Sequence, residues 1–236
     1  MKQITILLSY YNQTSALQKH IQVWQSYPKN IKDMIQFQII DDCSHQPAKQ
    51  VLDKLDLTSL NIELYRVLDN LYCNIAGVRN LGAREAKTEW ILILDMDTIV
   101  TPTMASQLLQ IIHNKHKIAF KFNRKVINNP KHPKNNQIHP AVTLIKKEDY
   151  WNIGGCEEDL VGHYGQTDPS FWYKARNKIT VMQCNNIYLN YLVEGEADIN
   201  RDTKHNIKLV QKKMKTNSWS KDYVRFRWER VIFNKQ

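Results

Sequence analysis

An α/β fold, with a mostly parallel central sheet and helices on both faces, is what this sequence predicts. Three observations carry that expectation. Apolar strand-like runs alternate with segments of helical period through the first half of the chain, in the order βαβαβαβ. The strand-like runs are apolar throughout, and Trp-Ile-Leu-Ile-Leu at 90–94 reads as wholly buried. Three strands then run into polar residues at their carboxyl ends: Ser9-Tyr10-Tyr11-Asn12, Asp41-Asp42-Cys43-Ser44 and Asp95-Met96-Asp97. In open α/β sheets, ligands sit beyond that rim.

Taken in order, Ile4 to Ser9 is the first predicted strand. TSALQKHIQVWQSY (14–27) has helical period with Thr14 or Ser15 near its cap, and Phe37 to Ile40 is the second strand. A helix in PAKQVLDKLD (47–56), a strand at Ile62 to Arg66, a helix in IAGVRNLGAREAK (75–87) and a strand at Ile91 to Leu94 complete the alternation. The second half is less regular. Asn123 to His139, rich in lysine, asparagine and proline, reads as a mobile loop. A strand AVTLIKK (141–147) follows, then a glycine-bearing loop NIGGCEEDLVGHYGQTD (152–168). A helix in PSFWYKARN opens at Pro169, a residue tolerated at the first helical position. No internal repeat is evident.

The 236 residues suffice for one large domain with decorations. The longest apolar runs, Ile4 to Leu8 and Ile91 to Leu94, fall far short of the ~20 residues that span a bilayer. MKQITILLSYYN reads as a first strand rather than a signal peptide. Cys43, Cys73, Cys156 and Cys184 are scattered without a C-x-x-C pair, which fits reduced thiols in a cytoplasm better than a zinc knuckle or a disulfide framework. Of the net charge of +10, residues 201–236 carry +8, from eleven Lys/Arg against three Asp/Glu. That tail, with its WSKDYVRFRWERVIF (219–233), suits a solvated helix packed by its aromatics. A basic segment of this kind also suits contact with an acidic substrate, an anionic membrane surface or nucleic acid. No nucleic-acid-binding motif accompanies it, and none is expected as a partner.

Alternate residues on a strand share a face, so Asp95 and Asp97 point one way while Met96 turns away. Their α-carbons are expected about 6 to 7 Å apart. Such a pair suits a divalent cation and a neighbouring hydroxyl of one ligand, since Mg²⁺ and Mn²⁺ take carboxylate and phosphate oxygens.

The segments LLSYYNQTSALQKHIQVW, FQIIDDCS, NIAGVRNLGAREAKTEWILILDMD, NIGGCEEDL and YGQTDPSFWYKA resemble, in sequence and spacing, the family 2 glycosyltransferases of the GT-A nucleotide-diphosphosugar fold. The resemblance spans about residues 3 to 192 and is most specific in RNLGAREAKTEWILILDMD. It implies a Rossmann-like GT-A domain over residues 1–200, nucleotide-binding in 1–100 and acceptor-binding in 101–200, to which the composition of the tail adds a basic, aromatic helical extension at 201–236 packed on it. It also implies a hexosyltransferase type of reaction, in which a sugar passes with inversion from a nucleotide-diphosphate donor such as a UDP-sugar to an acceptor hydroxyl of a glycan or glycoconjugate. Mn²⁺ or Mg²⁺ is the expected cofactor.

Residue by residue, the resemblance implies that Tyr11 borders the base and that Asp41 and Asp42 bind base and ribose. Arg79 stands on the nucleotide side, Asp95 faces the ribose and the metal, and Asp97 binds the metal. A turn or helix-capping role for one member of the Asp41–Asp42 pair is an open alternative. The family's base lies in a segment resembling Y-G-G-E-D-x-D-L-W-Y-R. Here YGQTDPSFWYK keeps Asp168, while Thr167 and Ser170 replace the companion acids, so Asp168 is the candidate base and also a candidate helix cap. His205 stands where related metal-dependent enzymes supply a late ligand. Trp151, Gly154 and Gly155 resemble the loop lining the sugar and acceptor space, with core packing as the alternative for Trp151. Loss of the companion acids also keeps open a catalytically silent module that binds sugar nucleotides or glycans.

Overall fold

The computed structural model describes residues 1–112, 117–127, 129–192 and 199–233. Four parallel strands form its first half: β1 (Ile4–Tyr10), β2 (Ile35–Asp41), β3 (Ile62–Val67) and β4 (Trp90–Leu94). Between them lie α1 (Thr14–Gln25), the short α2 (Lys29–Lys32), α3 (Ala48–Leu52) and α4 (Ile75–Glu85). The chain continues through β5 (Thr98–Ile99), α5 (Pro102–Ile111), β6 (Ile118–Lys125), β7 (Ile138–Lys146) and α6 (Lys147–Ile153). A 3-10 turn (Glu158–Leu160), α7 (Thr167–Ala175), β8 (Thr180–Tyr191), α8 (Lys204–Thr216) and β9 (Trp228–Val231) complete it.

All nine strands join one sheet in the order β5-β8-β6-β7-β4-β1-β2-β3-β9. Strands β1, β2, β3, β4, β6 and β8 point one way, and β5, β7 and β9 the other. The sheet is therefore mixed and mostly parallel, as the sequence predicts. Its two faces carry separate cores. Leu17, Ile21 and Trp24 of α1, spaced for one helical face, pack with Leu52 of α3 and Leu108 of α5 against Ile4, Ile6 and Leu8. On the other face lie Leu7 of β1, Val78 and Leu81 of α4, and the aromatics of α6 and α7. A β-carbon at Gly82 would stand 2.3 Å from the Leu7 side chain, so only glycine lets α4 approach β1 this closely. That approach sets Arg79, one turn earlier, beneath the strand ends.

Two expectations for the second half need correction. The predicted loop Asn123 to His139 is bounded by longer strands than expected: β6 reaches Lys125 and β7 begins at Ile138, with residue 128 outside the described residues. The register of β6 against β8 jumps from Phe122↔Cys184 to Asn123↔Tyr188, a bulge that re-aims the side chains beyond it. The basic extension is only partly helical. After α8 the chain runs without regular structure, with Val224 in the left-handed region at φ 59°, and then adds β9 antiparallel to β3, covering what would be an open edge. Val224, Phe226 and Trp228 pack inward while Arg225, Arg227 and Glu229 face water. This alternation runs through the segment that leads into β9, of which only Trp228 and Glu229 belong to the strand. Residues 234–236 lie outside the described residues.

Candidate active site

The carboxyl ends of β1, β2 and β4 open on a cavity of about 370 Å³, closed opposite by β6, β7, β8 and the start of α7. Tyr11, Asp42, Asp95, Asp97, Arg79 and Asp168 all line it. Segments up to 157 residues apart in sequence, Tyr11 to Asp168, therefore meet at one rim.

Arg79 is the hinge of this arrangement. It is 4% exposed, and its two terminal nitrogens reach Asp95 Oδ1 at 2.8 Å and Asp168 Oδ1 at 2.7 Å. Burial works against its charge, yet the two carboxylates hold its pKa well above the ordinary value. The planar fork of arginine suits two acceptors at once, which an ammonium cannot match. Asp168 lies in the first turn of α7, behind the cap position at Gln166, so the helix-capping role expected as an alternative is not its role. Its Oδ1 belongs to Arg79, and Oδ2 has no hydrogen-bond partner among the described residues.

Asp95 and Asp97 flank buried Met96 in a turn just past β4, closed by the Thr98 N–H on the Asp95 carbonyl at 3.1 Å, where the period-two reading has them continue the strand. With His139 of β7 they place three donor groups within 4.8 Å of one another. His139 Nε2 lies 3.3 Å from Asp97 Oδ1, and Thr98 Oγ1 donates to that same oxygen at 2.9 Å. The imidazole Nδ1 accepts the backbone N–H groups of Ala141 at 3.2 Å and Val142 at 3.1 Å. A neutral ring so held carries its proton on Nε2 and donates it to Asp97. The two carboxylates thus suit a hard divalent cation, while the histidine orients one of them.

Residues 5–171 match the family model Glycosyl transferase family 2. The chain belongs to that family. Chondroitin synthase of Escherichia coli is 30% identical over 105 residues, which make up 44% of this chain and only 15% of that protein. Among solved structures, Staphylococcus aureus TarS 1-349 in complex with UDP-GlcNAc superimposes with a TM-score of 0.69 over 94% of this chain and 68% of that one, at 15% identity. Mannosyltransferase PcManGT from Pyrobaculum calidifontis, in complex with GDP-Man and Mn²⁺, gives 0.63 over 89% and 60%, at 14% identity. At such identities the likeness speaks for the fold, which is GT-A.

Within the family 2 frame, the remaining predicted residues separate. Asp41 is buried and turned from the cavity: its oxygens accept Ser44 N–H at 2.9 Å and Ala48 N–H at 2.8 Å, so it anchors the turn into α3. Asp42 faces the cavity with its carboxyl set deep in the wall. Burial is the main cause that pushes its pKa up to about 7, against the pull of the Asn74 amide. His205 is exposed at the first turn of α8 and stacks on His163, with ring centroids 3.7 Å apart, outside the cavity lining. The histidine beside the two aspartates is instead His139, which sequence reasoning left inside a predicted loop. Trp151 packs between Tyr150 and Tyr223, in line with its core alternative. Gly154 and Gly155 lend their carbonyls to Lys174 and are also outside the lining. Ser170 is fully buried and donates to the Thr167 carbonyl.

No helix among the described residues is long and apolar enough to cross a membrane.

Proposed function

We propose that the chain is a metal-dependent, inverting glycosyltransferase that moves a sugar from a nucleotide-diphosphate donor, a UDP-sugar, to a glycan hydroxyl. The observation that carries this reading is the Arg79 link, which sets a carboxylate with one unengaged oxygen beside the Asp95–Asp97 pair. An inverting displacement needs a single base to take the proton of the attacking hydroxyl, and Asp168 Oδ2 would be that base. Tyr11 offers an aromatic face to the base, and Asp42 accepts from a uracil-like imide N–H. Asp97, held by His139 and Thr98, and Asp95 would hold the cation. When bound, that cation supplies the positive charge that a departing diphosphate requires. The neighbours solved with UDP-GlcNAc and with GDP-Man and Mn²⁺ support donor and metal alike.

The test is release of nucleoside diphosphate from a panel of sugar nucleotides with Mn²⁺. Asp97→Ala is expected to lower it by at least about 10³-fold, and Asp168→Asn by about 10²- to 10⁴-fold. Unchanged turnover in the first variant removes the metal assignment, and in the second the base. Silence across the panel with retained UDP binding identifies instead the silent module that Thr167 and Ser170 suggest.

A further inference from the structure

Helix α8 holds five lysines and no acid, and it uses the lysines in two ways. Lys213 turns inward, where its ammonium meets Asp159 Oδ2 at 2.6 Å and Glu157 Oε1 at 3.5 Å. Lys204, Lys208, Lys212 and Lys215 are exposed, and no carboxylate pairs with any of them among the described residues. We infer that this outer face of α8 is a docking surface for a membrane bearing anionic lipid headgroups, a contact that does not depend on the glycosyltransferase reading.

At roughly 100° per residue the four lysines lie within an arc of about 80°, opposite buried Asn206, Val210 and Lys213. They make a row about 17 Å long on the outside of the helix. Lys204, Lys208 and Lys212 follow one another at i, i+4, a spacing at which like charges weaken a helix. Elsewhere the chain answers that spacing with acids. Lys29 of α2 pairs with Asp33 at 2.7 Å and Lys49 of α3 with Asp53 at 2.5 Å, each four residues on. A helix face kept for water alone gains from such pairs. The outer face of α8 omits them, so its row is matched to anions supplied from outside the molecule.

A bilayer is the anionic partner that also fits the flank of the row. Ile207 and Met214, seven residues apart and each 37% exposed, form an apolar edge along one side of it. A basic helix lying on a membrane sets its lysines among the headgroups and its apolar side chains at the boundary beneath them. A phosphate backbone in solution asks for the charges alone. The row also starts beside the cavity. Arg201, three residues ahead of α8, lines the cavity with Gly165, and a β-carbon at Gly165 would stand 2.7 Å from Thr203, the residue before α8. Docking by α8 therefore brings the mouth of the cavity to the membrane surface.

The experiment is sedimentation of the whole chain with vesicles of phosphatidylcholine alone and of phosphatidylcholine mixed two to one with phosphatidylglycerol. Partition into the mixed vesicles is expected to be at least about tenfold stronger, and to fall steeply as salt rises from about 0.05 to 0.5 M. Lys208→Glu/Lys212→Glu/Lys215→Glu, at exposed positions and checked by its thermal transition, is expected to abolish that excess. Ile207→Ser/Met214→Ser is expected to lower the partition by at least about threefold with every charge in place. Equal partition into the two vesicles overturns the proposal, and so does an excess that survives the lysine substitutions. Partition unmoved by the two serines would make the row a site for soluble anions, and tighter binding to double-stranded DNA than to the mixed vesicles would assign it to nucleic acid; either result overturns it as well. Vesicle binding is read without donor or acceptor, so failure of the glycosyltransferase reading is seen separately, as absent nucleoside diphosphate release.

Discussion

The two walls of the cavity are built by opposite means. On one side, parallel apolar strands end abruptly in acids, and the chemistry sits where regular structure stops. On the other, antiparallel and bulged strands carry basic groups within their length, at Arg124 and His139. The first wall is an outcome of fold topology, since any parallel sheet gathers its carboxyl ends at one rim. The second depends on a local register shift. The two walls meet at His139, which holds Asp97, so a substitution there is expected to reach the acid side as well.

Arg79 bridges Asp95 and Asp168, and of the substitutions compared below its loss should give the largest effect. Arg79→Lys leaves one ammonium to do the work of a fork, so either Asp95 or Asp168 loses its partner. We expect kcat to fall by about 10²-fold, in keeping with misplaced catalytic groups. Arg79→Met should go further and destabilise the fold by about 3 kcal/mol, because two partly buried carboxylates then face each other without a cation. A thermal transition unmoved in Arg79→Met would show that the bridge is not structural, and unchanged kcat in Arg79→Lys would separate the two walls.

A smaller effect is expected at His139, and it sharpens the distinction between ligand and orienting residue. With the Nε2–H donating to Asp97, a glutamine amide can replace the donor, whereas alanine cannot. His139→Ala should weaken Mn²⁺ binding by about tenfold, the usual scale for residues that orient a ligand, and His139→Gln should recover most of it. If glutamine binds Mn²⁺ no better than alanine, the imidazole itself holds the ion.

These contrasts explain what was legible in the sequence. Strands β1 to β4 and α4 show themselves because uninterrupted apolar runs and a helical period leave few alternatives, and the Asp95–Asp97 pair shows itself because it follows a buried strand directly, although it sits in a turn and not on the strand. Within the Asp41–Asp42 pair the choice is made by the turn into α3, whose N–H groups claim Asp41, and spacing alone does not show which acid turns inward. His139 was hidden in NNPKHPKNNQIHP, a composition that reads as loop, because its position depends on an irregular register between β7 and β6 that no local pattern announces. His205 drew attention by its polar setting, but α8 turns it toward His163. The last strand had a readable signal. Val224, Phe226 and Trp228 alternate with Arg225, Arg227 and Glu229, an alternation that runs into β9 from the segment before it and does not fit a helix.

The smallest expected effect, and the one that ties the acid wall to stability, is a pH dependence at Asp42. Burial raises this carboxyl from 3.8 to about 7, so it is largely protonated below neutrality and ionised above. If the carboxylate accepts a hydrogen bond from the donor's base, UDP affinity should fall as pH drops through about 7, by up to about tenfold per unit. Stability should move the other way. Between 3.8 and about 7 the folded chain holds a proton that the unfolded chain has released, so ionising Asp42 in place costs stability as pH rises. Asp42→Asn removes the titration and should flatten both profiles near neutrality, with a thermal transition no lower than that of the unsubstituted protein at pH 8. UDP titrations and melting curves from pH 5.5 to 8.5 read the two slopes independently. Affinity and stability that rise together with pH would mean that the carboxylate is paired in the folded state rather than held unpaired for a ligand.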